Sequence, residues 1–164
     1  MNIEDFILTS ISIAVGIIGG AYASLRVQRK MKNDEKKEIV TNVKNAIKQE
    51  IQGNVDTIKR EDLSLDKSDG WKSVSMKYLQ IPSYESSVKS GNFILLNDEL
   101  RKKISGLYTN IHIANNQADQ LSKSTFTITE NTAKFDRMFK KQLGFLKKKH
   151  EEILTTSNSI LEKL

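Results

Sequence analysis

The sequence predicts an all-α protein: a single N-terminal transmembrane helix followed by an antiparallel helical bundle of about three main helices. Three observations lead there. Phe6 to Leu25, FILTSISIAVGIIGGAYASL, is twenty residues without a charge. Pro82 is the only proline, so no ring interrupts a helix before it. Beyond residue 33 apolar residues recur at gaps of three and four, the period of an amphipathic helix. The expected domains are a transmembrane anchor with a basic juxtamembrane stretch over 1–32 and a cytoplasmic helical bundle over 33–164.

A helix rises about 1.5 Å per residue, so the uncharged stretch matches the roughly 30 Å hydrocarbon core of a bilayer. Glu4 and Asp5 precede it. Arg26, Arg29, Lys30, Lys32, Lys36 and Lys37 follow, offset by Asp34 and Glu35. Cations beside a span stay on the cytoplasmic side, which predicts a single-pass cell-membrane protein with its N-terminus outside and its C-terminal domain inside. Arg26, Arg29, Lys30 and Lys32 set that topology and suit anionic lipid headgroups, while Phe6 and Tyr22 fall near the two interfaces. A cleaved signal peptide is the competing reading, because Ala21-Tyr22-Ala23 before Ser24 fits a small-x-small site. The absence of a positive n-region and the basic run after the cut weigh against it. Ser12, Gly16, Gly20 and Ser24 recur every four residues along one face, with Gly16 and Gly20 forming a GxxxG that suits close helix packing and self-association. Small residues are also common in membrane helices that pack on nothing.

Next comes an amphipathic helix over 34–60, with Val40, Val43, Ile47, Ile51, Val55 and Ile58 as its apolar stripe. Gly53 weakens it slightly, and either it runs on directly from the anchor as one long stalk or Asn33 is the joint between them. Glu61 to Gly70, EDLSLDKSDG, reads as a loop. Trp71 to Ile81 shows a brief alternation in Val74, Met76 and Tyr78, too short to define a strand. After Pro82, Ser83 is the expected N-cap of a short helix holding Tyr84 and Val88, and Gly91 its C-cap. Phe93 to Leu96 reads as a buried connector.

Asn97 opens the clearest helix, with Asp98 and Glu99 at its positive end. Leu100, Ile104, Leu107, Ile111, Ala114, Ala118 and Leu121 then alternate gaps of four and three, a heptad seam of the coiled-coil kind. Ser122 to Phe126 reads as a polar turn. Thr127 and Glu130 have capping-box spacing ahead of the last helix. Its seam is Phe139, Leu143, Leu146, His150, Ile153, Ser157, Ile160 and Leu164. Amphipathic helices cannot each bury a stripe alone, so a bundle is the economical solution.

Glu50-Ile51 with Asn54, then Tyr84, Ser90-Gly91, Leu95-Leu96 with Leu100, and Leu107-Tyr108 with Ile111 form a recurring pattern. It resembles a group of uncharacterised small prokaryotic membrane-anchored helical proteins with one N-terminal span and the pattern EI..N, Y/W...SG, LL...L, LY..I. The likeness covers residues 6–121, leaves the basic last helix outside, and implies this architecture without any activity. Read by themselves, these residues have structural work: Gly91 ends a helix, and Tyr84 and Tyr108 fill the bundle.

No enzymatic constellation stands out. His112 sits one past the Ile111 seam position with no acidic or Cys partner at metal-ligand spacing. His150 lies on a seam, and the HEE it begins is not the HExxH that places two ligands on one face. There is no GxxxxGK[ST], GxSxG or SxxK, and the acidic pairs Asp98-Glu99 and Glu151-Glu152 are explained by helix-end electrostatics. With no Cys, disulfides and thiolate metal sites are excluded. No cofactor, metal or catalytic residue is expected.

Lys and Arg number 26 against 20 Asp and Glu, and every cation follows the apolar stretch. The excess favours anionic partners: lipid headgroups, an acidic protein or nucleic acid. A second basic cluster, Lys134, Arg137, Lys140, Lys141, Lys147, Lys148 and Lys149, interleaves with Phe135, Phe139 and Phe145. It is a solvated bundle face, or a site for an anionic partner. The expected function is a non-enzymatic membrane-anchored interaction or scaffold protein, with the Gly16 and Gly20 face available for self-association. The alternatives are a membrane tether for nucleic acid through the last helix, and a small membrane-perturbing lysis or defence effector.

Overall fold

A computed structural model describes residues 3–65, 78–126 and 132–164, with side chains over 20–60, 78–123 and 137–164. All of its regular structure is helical. Helix α1 spans Ile3–Leu65, α2 Pro82–Lys89, a 3-10 turn Asn92–Leu95, α3 Asp98–Phe126 and α4 Thr132–Leu161. The chain divides into two units, Met1–Ile39 and Val40–Leu164.

The first unit corrects the sequence reading. Among the described residues no helix is long and apolar enough to cross a membrane, so the single N-terminal transmembrane helix is withdrawn. The uncharged stretch is not an element in itself. It belongs to α1, which passes without a break through Asn33 and the cations Arg26, Arg29, Lys30 and Lys32. The inside–outside orientation argued from flanking charges presupposed that span. Every side chain from Gly20 to Glu38 is exposed.

The second unit is a helical bundle, as the periodicity predicts. Val43, Ile47, Ile51, Val55 and Ile58 of α1 are buried, and so is every member of the Leu100–Leu121 seam of α3. In α4, Phe139, Leu146, His150, Ile153, Ser157 and Ile160 are buried, while Leu143 and Leu164 are half-buried. Helix α4 packs along α3. The two are antiparallel, because Lys163, two residues past the end of α4, reaches Glu99 at the start of α3, 2.6 Å away.

Helices α1 and α3 instead run parallel. Moving up α1 from Glu50 to Asn54, and up α3 from Tyr108, which stacks on Tyr84, to Asn115, the partners on the connecting segment step backwards from Tyr84 to Gln80 and Leu79. The return between the two helices is made by that segment, which descends between them.

Several boundaries differ from expectation. Glu61 to Leu65 continues α1 and Ser122 to Phe126 continues α3, where a loop and a turn are predicted. Ser, Thr and Asp are near-neutral between helix and turn, so neighbouring structure decides. Of the connector Phe93–Leu96 only Leu96 is buried; Ile94 is 68 % exposed. The alternation at Val74 and Met76 and the Thr127–Glu130 capping box lie outside the described residues. Asn97 opens α3 as predicted, and its side chain caps the helix, Oδ1 accepting from Leu100 N–H at 2.8 Å. Gly91 follows α2 with φ of 75°, a left-handed conformation that glycine adopts without steric cost.

Candidate functional site

The most organised polar constellation among the described residues is a clamp around the segment Tyr78–Tyr84. Its origin lies in α1, where Glu50 and Asn54 stand four residues apart on the face that also carries Ile47, Ile51 and Val55. Both are buried, Glu50 to 7 % exposure and Asn54 to 1 %. Polar groups in such a place need partners, and each finds them on the descending segment.

Asn54 grips Gln80 at both ends of its backbone. Its Oδ1 accepts from Gln80 N–H at 2.7 Å and its Nδ2 donates to Gln80 C=O at 2.8 Å. Asn115 of α3 does the same to Leu79, with 2.8 Å and 2.9 Å contacts. In extended chain the N–H and C=O of one residue face one side and those of the next face the other. Adjacent residues therefore present their backbones to opposite helices, and one asparagine on each helix satisfies them. Only Leu79 of this pair is buried, at 3 % exposure, so the clamp reads backbone and one apolar anchor.

Glu50 closes the lower end. Its carboxylate accepts from Ser83 N–H at 2.6 Å and Tyr84 N–H at 3.2 Å, at the start of α2. The predicted N-cap, Ser83, is thus not the cap. Helix α2 begins at Pro82 with no side-chain cap of its own, and a carboxylate from another helix serves the orphan donors instead. The Tyr108 hydroxyl donates to the same carboxylate at 2.5 Å. Burial, then that hydrogen bond to Glu50, push the Tyr108 phenol well above its ordinary value. The Tyr108 ring stacks on Tyr84 at 4.1 Å, and Tyr84 meets Phe93 edge-on at 5.3 Å. At the upper end Tyr78 donates to Asp119 at 3.1 Å, which raises the phenol, while Lys123 beside Asp119 lowers that carboxyl.

Glu50 accepts three hydrogen bonds, two from the start of α2 and one from α3, so its carboxylate ties α1 to both. Among the described residues no group of three His, Cys, Asp or Glu is placed to hold a metal ion. His112 is exposed and His150 is buried on its seam.

The residues singled out from sequence are not brought into one site. Ser12 and Gly16 lie outside the described side chains; Gly20 and Ser24 are exposed, with open space around Gly20. Arg26, Arg29, Lys30 and Lys32 are exposed along α1. In the second cluster the Lys134 and Phe135 side chains lie outside the described set. Arg137, Lys140, Lys141 and Lys148 are exposed; Lys147 and Lys149 are half-buried. Lys149 bonds Glu152 at 2.5 Å, holding that carboxyl below its usual range, and sits 5.9 Å from the Phe145 ring centre. Phe139 is core, so it is not available to stack on a base.

Sequence reasoning missed Glu50, Asn54 and Asn115 as a functional set. The signal was present in α1, where a Glu and an Asn interrupt an otherwise apolar face. No protein-family model, no curated protein and no solved structure matches this chain.

Proposed function

We propose that this protein is a non-enzymatic interaction protein that works at an anionic membrane surface, contacting it through the exposed basic part of α1. One observation supports the reading. From Gly20 to Glu38 every side chain is exposed, and that set includes Tyr22, Leu25, Val27 and Met31, at 53 to 68 % exposure. Tyr22 and Leu25 fall on the same face of α1 as Arg29, Lys32 and Lys36, with Arg26 beside them, whereas Val27 and Met31 lie on the opposite face with Gly20, Ala23 and Ser24. Exposed apolar side chains flanked by cations suit a headgroup boundary, where each cation contributes about 1 kcal/mol. Confinement to a surface raises the effective concentration of the bundle for partners there.

The test is co-sedimentation of the full chain with phosphatidylglycerol and phosphatidylcholine vesicles. Retention on the anionic vesicles alone, weakened by salt and lost with Arg26→Glu, Arg29→Glu, Lys30→Glu and Lys32→Glu together, is the expected result. Equal retention on both, or on neither, ends the proposal.

A further inference from the structure

Between the α2–α3 connection and the first two turns of α3 lies a cleft of about 640 Å³. Val88, Gly91, Phe93 and Ile94 line one side of it, and Asp98, Arg101, Lys102 and Ser105 the other. The first wall is apolar. Val88 and Ile94 are 46 % and 68 % exposed, large side chains that the bundle leaves uncovered. Gly91 adds no side chain, and a Cβ at its position would meet nothing within 4 Å. Phe93 is held edge-on to Tyr84, which stacks on buried Tyr108, so this wall is fixed to the core. The second wall is polar, its four residues sharing one face of α3 over roughly 10 Å. Asp98 and Arg101 are paired with each other, whereas Lys102 has no ion pair among the described residues.

We infer that this cleft binds an amphiphilic carboxylate, a single alkyl chain carrying one acid head. Small-molecule sites are clefts of about 300–1,000 Å³ with apolar walls and a few placed polar groups, and this one has that size and make-up. The two walls specify what lies between them. A wholly apolar ligand displaces water from Arg101 and Lys102 and offers no acceptor in return. A cation meets two like charges against the single carboxylate of Asp98, and a small inorganic anion gains nothing from Val88, Phe93 and Ile94. Asp98 also sets the direction. It repels a carboxylate at its own end, so the head lies toward Ser105, where the Lys102 ammonium and the Ser105 hydroxyl can donate. The chain then runs along Val88, Phe93 and Ile94. A bilayer surface is too flat to follow a cleft and reaches only its rim at Ile94.

The probe is decanoate below its micellar concentration, titrated calorimetrically into the full chain beside acetate, 1-decanol and decyltrimethylammonium. One decanoate per chain is expected, with 1-decanol bound about tenfold more weakly and the other two not bound. Val88→Ser with Ile94→Ser weakens decanoate about tenfold or more, and Lys102→Glu weakens it about tenfold. All three positions are exposed, so circular dichroism should show an unchanged fold. The Arg26→Glu, Arg29→Glu, Lys30→Glu and Lys32→Glu variant binds decanoate as before, which separates the cleft from the proposed membrane contact. Absence of decanoate binding, equal binding of 1-decanol, or binding indifferent to the Val88, Ile94 and Lys102 changes overturns the inference. If those changes lower retention on phosphatidylglycerol vesicles and leave decanoate untouched, the patch belongs to a bilayer and the inference falls.

Discussion

Four side chains carry an uneven share of the architecture. Glu50 satisfies two backbone donors of α2 and one phenol, so removing it leaves three groups to find new partners. Glu50→Ala should destabilise the bundle by about 2–4 kcal/mol, since each buried polar group left unsatisfied costs about 1–3 kcal/mol and relaxation recovers part. Tyr108→Phe keeps the stack on Tyr84 and loses one hydrogen bond, so about 1 kcal/mol is expected. Urea midpoints at constant slope would read both; an order reversed between them would mean that Glu50 is not the hub. Asn54→Ala and Asn115→Ala each orphan one N–H and one C=O. Because they hold neighbouring residues of a single segment, the double variant should depart from additivity by more than about 0.5 kcal/mol. Additive losses would show that Leu79 and Gln80 are held independently. These residues were only half legible. Glu50, Asn54, Tyr84 and Tyr108 stand out as a pattern in the sequence, but their partners are main-chain atoms, which every residue has and no spacing marks.

At the scale of elements, the α3 seam was fully legible, because a residue's neighbours three and four places away decide which face of a helix is apolar. Ile104 and Ile111 have no exposed surface. Ile104→Ala should therefore cost about 2–5 kcal/mol, the range for truncating a packed core aliphatic. A loss below ~1 kcal/mol would place that contact outside the core. The turn at Gly91 was legible as well, since its positive φ needs glycine; Gly91→Ala should cost about 1 kcal/mol despite open space at its Cβ. The α3–α4 clasp was not, because Lys163 and Glu99 are joined by topology across 64 residues. There, hydrogen bonds from Lys163 and Lys103 hold the Glu99 carboxyl below its ordinary 4.5. A carboxyl lowered on folding adds stability above its unfolded value, and that contribution disappears as pH falls through the folded value. Melting temperature should thus drop as pH falls below about 4.5. Glu99→Gln should flatten part of that drop. An identical acid profile in the variant would assign the sensitivity to Asp119 and Glu152, which are lowered in the same way.

For the whole molecule, exposure predicts how protection is distributed. Along α1, side chains from Gly20 to Glu38 are exposed, whereas Ile47, Ile51 and Ile58 have no exposed surface. Backbone amides open most easily where few buried apolar contacts hold them. Hydrogen exchange should be fast over 20–38 and slow over 47–58, within one helix. Uniform protection along α1 would mean that the first part is covered in solution, and would locate the surface that a partner or a second copy occupies. The sequence by itself determined an all-α chain, the core faces of its helices, the start of α3 at Asn97 and the turn at Gly91, because short-range periodicity and backbone sterics encode them. Only the tertiary structure decided that α1 runs through Asn33 without a break, that α1 and α3 are parallel, and that two asparagines and a glutamate hold the segment between them. Those features depend on which buried backbone groups the topology brings within reach, and a buried N–H or C=O accepts whatever polar side chain arrives there.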